Sequence, residues 1–165
     1  MIALIAAYAQ NGVIGYQGRT PWQIRTERKR FLELTAGNAV IMNRNSYESL
    51  KKHLLSRRII VLSSIPDFDG GRCLTASSLT EAIQLAGSRN VYIFGGARLY
   101  EEALPLVDKM YITEIGCRAE GDTYFPDFNK KEFIKVIEKK TKTKVPCRFV
   151  IYFRRQGKQE GQLIF

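Results

Sequence analysis

The most regular feature of the chain is a set of short, unbroken apolar runs, each followed by small or polar residues and then by a segment with helical spacing. Residues 2–8 (IALIAAY) form the first run, and its apolar side chains do not alternate with polar ones. That is the pattern of a central strand covered on both faces. Residues 39–42 (AVIM), 58–64 (RIIVLSS) and 91–94 (VYIF) repeat it. Among the intervening segments, Ile24, Phe31 and Leu34 are the apolar positions of one helix and YESLKKHL (47–54) reads as a second. Ser77-Ser78-Leu79-Thr80-Glu81 has the form of a capping box ahead of EAIQLAG, which Gly87 closes. A further helix begins directly after Gly95-Gly96. Strands alternating with helices in this way predict a doubly wound α/β sheet.

From residue 109 the pattern changes. KMYITEI (109–115), residues 132–139 and CRFVIYFR (147–154) are strand-like with no helical segment between them, so the sheet is expected to finish antiparallel, as a meander or hairpin. The glycine-marked stretch from Ala9 to Arg19 and the turn-rich Glu120-Gly121-Asp122-Thr123-Tyr124-Phe125-Pro126 read as loops, and residues 156–165 as a tail. The domain is thus expected over residues 1–155.

Three strand ends carry groups suited to an anion. Asn43-Arg44-Asn45-Ser46, Ser63-Ser64 and Gly95-Gly96 each bring hydroxyls, basic side chains or bare backbone to a junction, the last two glycines at a helix start where backbone can approach a pyrophosphate. Asn and Ser also cap helices for purely structural reasons. A separate signal is Glu27, four residues before Phe31 and so on the same helix face. An acid beneath an aromatic ring on an inward face is costly unless it has a partner. Arg25, Arg28, Lys29, Arg30 and Glu33 can be turned outward; Glu27 is either a group with a chemical task or an ordinary surface acid.

Composition narrows the class. With 165 residues, 45% of them hydrophobic and 25% charged, the chain suits one core and not two. No stretch approaches a membrane span, and the apolar N-terminus lacks a basic leader. Cys73, Cys117 and Cys147 are odd in number and scattered, with no metal spacing, which suits a reducing cytoplasm. The net charge of +10 raises nucleic acid as a partner, but residues 130–165 hold 11 Lys and Arg against 3 acids, which leaves only 15 − 13 = +2 for the rest. The excess includes the run KKTKTK (139–144), a hairpin tip without interleaved aromatics, so no nucleic-acid or membrane partner is expected.

Taken in order, IALIAAYAQNGVIG, TPW, the helix with an inward acid and Phe, VIMNR, RIIVLSS, VYIFGGARLYEEAL, MYIT and EGDTYFPDF resemble dihydrofolate reductase over about residues 1–155. The resemblance implies a single-domain α/β fold with a central, mostly parallel, eight-stranded mixed sheet, about four flanking helices and an antiparallel C-terminal hairpin. It implies reduction of 7,8-dihydrofolate by hydride transfer from NADPH, in a cytoplasmic monomer, with dihydrofolate and antifolate inhibitors as ligands and no metal. Glu27 then matches the acid that holds the pterin, Thr113 the hydroxyl bonded to it, Trp22 the residue that orients a water, and Tyr100 a further catalytic position. Ile5, Ala6, Arg28, Phe31, Leu50, Leu54 and Phe94 match substrate positions, and Arg57 the arginine that grips the glutamate tail. Ala7, Ile14 and Gly15 through Thr20 match the loop over the nicotinamide. Gly95, Gly96, Ala97 and Leu99, with Asn45, Ser46, Leu62 and Ser63, match the cofactor groove, while Arg44, Ser64 and Arg98 match contacts to its 2′-phosphate. Asp122 matches the residue that steadies the active-site loop.

The chain departs from the family pattern at Asn43, where glycine is usual, at Arg28, and at His53, Leu55 and Ser56 ahead of Arg57; Leu32 and Lys52 replace further tail contacts. Glu27 and Arg28 lie in the pocket antifolates share, so trimethoprim resistance is an expectation. Two alternatives remain. One is a same-fold pyrimidine reductase of riboflavin synthesis, whose phosphorylated substrate explains neither Arg57 nor the Glu27–Phe31 pocket. The other is a non-catalytic basic binding module, which has no need of Trp22, Thr113 or Gly95-Gly96.

Overall fold

The computed structural model describes residues 1–15, 17, 22, 24–142 and 144–156. Strand β1 (Ile2–Ala9) is followed by a short β2 (Val13–Gly15), helix α1 (Arg25–Thr35), β3 (Ala39–Asn43) and α2 (Arg44–Leu50). Next come β4 (Arg58–Leu62), β5 (Leu74–Ala76), α3 (Leu79–Ala86), β6 (Val91–Phe94) and α4 (Ala97–Ala103). The chain continues through β7 (Lys109–Ile115), β8 (Thr123–Tyr124), β9 (Phe133–Thr141) and β10 (Cys147–Arg154). Eight strands form one sheet in the order β5-β4-β3-β6-β1-β7-β10-β9. Every pairing from β5 to β7 is parallel, and the last two are antiparallel. The expected mixed sheet with a C-terminal hairpin is what the chain forms.

The unbroken apolar runs work because the sheet is covered twice. Along β1, Leu4 and Ala6 join one cluster with Ala82 and Ala86 of α3 and Leu99, Tyr100 and Ala103 of α4. Their neighbours Ala3 and Ile5 join a second cluster with Phe31 of α1, Tyr47 of α2 and Phe68. Period-two alternation thus persists in β1, hidden because both faces are apolar.

Several boundaries differ from the sequence reading. The second helix starts at Arg44, where the Asn43 side chain accepts from the Ser46 amide (2.8 Å), and tightens to a 3₁₀ turn at Lys51–His53. The apolar strand of 58–64 ends at Leu62 ahead of its two hydroxyls, as read; the Ser63 amide bonds the Ala76 carbonyl (3.0 Å) and its hydroxyl accepts from Ile65 (3.1 Å), turning the chain away. The hairpin strand β9 extends to Thr141, so half of the basic run lies in the sheet edge. Strand β5 and the small β2–β8 sheet carry no sequence signal, being only three and two residues long.

Candidate active site

Glu27 lies in the first turn of α1, where the positive end of the helix favours an acid. It is half-buried at the side of the apolar cleft. Burial pushes its carboxyl up to about 7, against the opposing pull of Arg28 and Arg30. Among the described residues its carboxylate makes no hydrogen bond. Thr113 is buried on β7, opposite Ala7 on one side and Phe149 on the other, and does not bond the Glu27 carboxylate directly. Trp22 packs with Ala7, Ile24, Cys117 and Val145 against Ile115, Cys147 and Phe149. Its indole N–H is buried and has no acceptor among the described residues. A buried donor in that state costs about 1–3 kcal/mol, so the position favours an ordered acceptor such as water.

Beside the acid, Ile5, Phe31 and Leu54 are buried together with half-buried Leu50, Leu32 and Phe94, and the Phe31 and Phe94 rings stand 4.6 Å apart. Ile5 lies opposite Phe94 in β6 and Tyr111 in β7. Ala6, expected in the same pocket, packs its side chain into the other cluster, as alternation along β1 requires. Arg28 is not brought into the cleft either. It follows Glu27 by one residue, about 100° round the helix, and is exposed along a recess with Arg25, Lys29, Leu32, Glu33 and Ala36. Arg57 donates from Nε to the Thr35 hydroxyl (2.8 Å), from Nη1 to the Leu55 carbonyl (2.6 Å) and from Nη2 to the Leu32 carbonyl (2.6 Å). Of the five N–H groups of a guanidinium, one on each Nη remains, the fork a carboxylate needs.

The second half of the site follows from the strand order. Because β3 lies between β4 and β6, the strand ends carrying Leu62, Ser63 and Ser64, then Asn43 to Ser46, then Gly95 to Arg98 are neighbours. The Gly95–Gly96 peptide is cis. Gly95 has φ +40°, and its carbonyl accepts from the Asn43 amide (2.9 Å). A Cβ there would lie 3.3 Å from the Tyr100 hydroxyl, and one on Gly96 3.0 Å from Asn43 Nδ2, so both glycines stand where backbone must stay bare. Asn43, unusual for the family, has an extended backbone (φ −77°) that any residue adopts, and its side chain caps α2. Tyr100 donates its hydroxyl to the Ile5 carbonyl (2.8 Å) and its amide to the Gly96 carbonyl (3.0 Å). Arg44 stacks on the Phe68 ring (4.6 Å), and Arg98 is exposed beside Glu102 (3.7 Å). Ser64 and Asn45 are exposed, Ser46 and Ala97 half-buried, and Leu99 is buried in the first cluster.

A separate two-stranded sheet pairs β2 with β8. The Phe125 amide bonds the Gly12 carbonyl (2.9 Å), the Asp122 amide the Gly15 carbonyl (3.1 Å), and the Asp122 carboxylate accepts from the Gln17 amide (3.0 Å). Ile14 packs against the first cluster. Thr20 lies outside the described residues.

Two residues near the site escaped the sequence reading. Phe125 sits between Tyr8 and Tyr100, with ring centroids 5.1 and 5.2 Å away. Arg30, expected to turn outward, is drawn inward: its side chain is only 11% exposed, bonded to Ile112 and Glu138 and stacked on Phe149. Three residues after Glu27 on the helix, it faces β7 and β10, a position its charge alone would not suggest. Among the described residues there is no His, Cys, Asp and Glu cluster able to hold a metal, and no helix long and apolar enough to cross a membrane.

Comparison with known proteins matches residues 1–154 to the family model for dihydrofolate reductase. The chain is 30% identical over 167 aligned positions to dihydrofolate reductase of Bacillus subtilis, covering 98% of this chain and 99% of that one. It is 38% identical over 129 positions to dihydrofolate reductase type 3 of Salmonella typhimurium, covering 78% and 80%. Among solved structures it resembles dihydrofolate reductase from Enterococcus faecalis complexed with NADP(H) and RAB-propyl, with a TM-score of 0.85, 30% identity, and coverage of 94% and 97%.

Proposed function

The chain belongs to the dihydrofolate reductase family, and we propose that it reduces 7,8-dihydrofolate to 5,6,7,8-tetrahydrofolate with NADPH, as a cytoplasmic monomer. The observation that carries this reading is the placement of one half-buried acid, Glu27, beside the Ile5–Phe31–Phe94 cleft and across β1 from the bare Gly95–Gly96 backbone. The residues fit the cofactor: the glycine pair leaves bare backbone packed against Tyr100, Ser46 and Asn43 at a helix start, where a diphosphate can be approached, and the neighbouring strand ends supply Ser46, Arg44, Ser64 and Arg98. Bound there, NADPH supplies the hydride.

The chain's own groups handle position and proton. Phe31 and Phe94 hold the pterin as a flat apolar slab, and Ile5 supports its reacting edge. Glu27 takes the amidine-like edge by two charge-assisted hydrogen bonds. With its carboxyl raised to about 7, it keeps a proton in the site near neutral pH, where N5 of the pterin must gain one. Trp22, its N–H lacking an acceptor among the described residues, holds the water through which that proton reaches N5. The remaining fork of Arg57 takes the glutamate-tail carboxylate. Glu27 lies in the pocket that antifolates share, and weak trimethoprim inhibition is the expected result.

The test is NADPH oxidation followed at its absorbance band with dihydrofolate as substrate. Turnover with dihydrofolate, but not with a phosphorylated ribityl pyrimidine, supports the assignment; absence of turnover with dihydrofolate refutes it. Glu27→Gln with parental activity at neutral pH refutes the role of the acid.

A further inference from the structure

Arg30 is the side chain of α1 whose placement the proposed reaction leaves unexplained. A guanidinium that is 11% exposed requires a reason, since a buried cation costs stability unless its donors are met. Here two of its donors are met, from two strands, and a third strand supplies a ring beneath the cation. Nη1 donates to the Ile112 carbonyl (3.2 Å) on β7, Nη2 to Glu138 (2.9 Å) on β9, and the guanidinium lies over Phe149 of β10 (4.7 Å) and near Tyr111 (5.7 Å). Arg30 follows Glu27 by three residues on α1, so the two side chains are neighbours on the helix surface.

The partner is aimed by a defect in the sheet. Phe149 pairs with Lys139 and Val150 with Ile137, so Glu138 is the extra residue of a β-bulge. A bulge re-aims the side chain it carries. Without it, strict alternation in β9 would continue past this point and set a different residue against Arg30.

We propose that Arg30 is a positioning residue for Glu27, fixed by the bulged Glu138 so that its charge bears on the carboxylate from behind the substrate cleft. This rests on the reading of Glu27 as the pterin-binding acid. The groups that bear on Glu27 are Arg28 and Arg30 from its own helix, Tyr100 from α4 and Cys147 from β10. The last two are held neutral by burial, which pushes both upward. Arg28 is exposed and screened by solvent. Both guanidiniums limit how far burial raises the acid, Arg28 the more, but Arg30 is the one that is desolvated and held in place. Glu138 and Tyr111 face Arg30 in turn and moderate its field.

The experiment is the pH dependence of kcat/KM for dihydrofolate in the parent, Arg30→Met, Arg30→Lys, Glu138→Gln and Glu27→Gln proteins, each with a thermal melt. Activity falls as pH rises through the ionisation of the site. Arg30→Met moves that midpoint up by about half to one unit, the scale of a neighbouring charge at an effective dielectric near 20 after screening. Glu138→Gln, on a half-exposed strand, moves it down by less, because the cation is no longer offset. Arg30→Lys restores most of the parental midpoint. A general loss of packing cannot shift the midpoint in opposite directions. Parental midpoints in Arg30→Met and Glu138→Gln, or shifts of the same sign, overturn the inference. If Arg30→Met does not fold, the sign of the Glu138→Gln shift decides alone. If Glu27→Gln keeps the parental limb, the reading of the acid fails, and the inference falls with it for a distinguishable reason.

Discussion

Gly121→Ala isolates the contact between the loop over the site and its support. A Cβ built on Gly121 lies 2.2 Å from Val13 Cγ1 and 2.6 Å from the Gly15 carbonyl oxygen. The first neighbour belongs to a fully buried β-branched residue and the second is backbone, so neither can swing aside. One methyl therefore has to push β2 away from residues 121–124. That movement loosens the Asp122–Gly15 bond and the Gln17–Asp122 bond, which tie the loop at this end. Inserting one methyl into a packed site costs about 1–3 kcal/mol. If that cost falls on the closed arrangement of the loop, kcat drops roughly 5- to 150-fold. The core clusters do not include Gly121, so the melting temperature should change little by comparison. Steady-state turnover, single-turnover hydride transfer and a melt measure the three quantities. A Gly121→Ala enzyme with parental kcat, or one that loses stability in proportion to rate, refutes the argument.

Other perturbations follow from single contacts. Arg57→Lys keeps the charge and loses the fork; at about 1.5–3 kcal/mol for charge-assisted bonds, KM for dihydrofolate should rise roughly 10- to 150-fold with kcat nearly unchanged. A larger effect on kcat than on KM counts against tail recognition. Ser78 accepts from the Glu81 amide (3.1 Å) at the start of α3. Ser78→Ala should therefore cost about 1 kcal/mol and lower Tm by roughly 2–4 °C without changing turnover. Glu27 sits at about 7 in the folded chain against an ordinary 4.5. Its contribution to stability is complete below pH 4.5 and is lost as pH rises through about 7. Melts from pH 4 to 9 should show the parent losing stability relative to Glu27→Gln across that window, and a pH-independent difference refutes the burial of the acid.

What was legible in the sequence depended on signal length. The apolar runs located every strand of the parallel half except β5, because residues buried on both sides leave no polar interruptions. The capping box at Ser78 and the glycine pair at 95–96 located helix starts to within two residues. Strand β5, the β2–β8 pair and the bulge at Glu138 were invisible, since two or three residues carry no period. Within the site, Glu27 and Phe31 were readable from helical spacing. The inward turn of Arg30 was not, because it depends on rings from β7 and β10 and an acid from β9, all more than 80 residues away along the chain. The direction of Arg28 was not legible: the resemblance set it among the substrate positions, while the structure leaves it exposed on the helix.

Tyr100 has the last bearing on how the two halves of the groove work together. Its hydroxyl is held on the Ile5 carbonyl, its amide on the Gly96 carbonyl, and its ring on Phe125, which hangs from the loop. A displacement of a few tenths of an ångström at Gly95, where the hydroxyl already stands 3.3 Å from the position of a Cβ, reaches the strand under the pterin through one rigid ring. Any coupling between the two halves of the groove through this ring would be equal in both directions. One side chain thereby ties strand β1, the bare glycine turn and the ring on the loop into a single rigid unit.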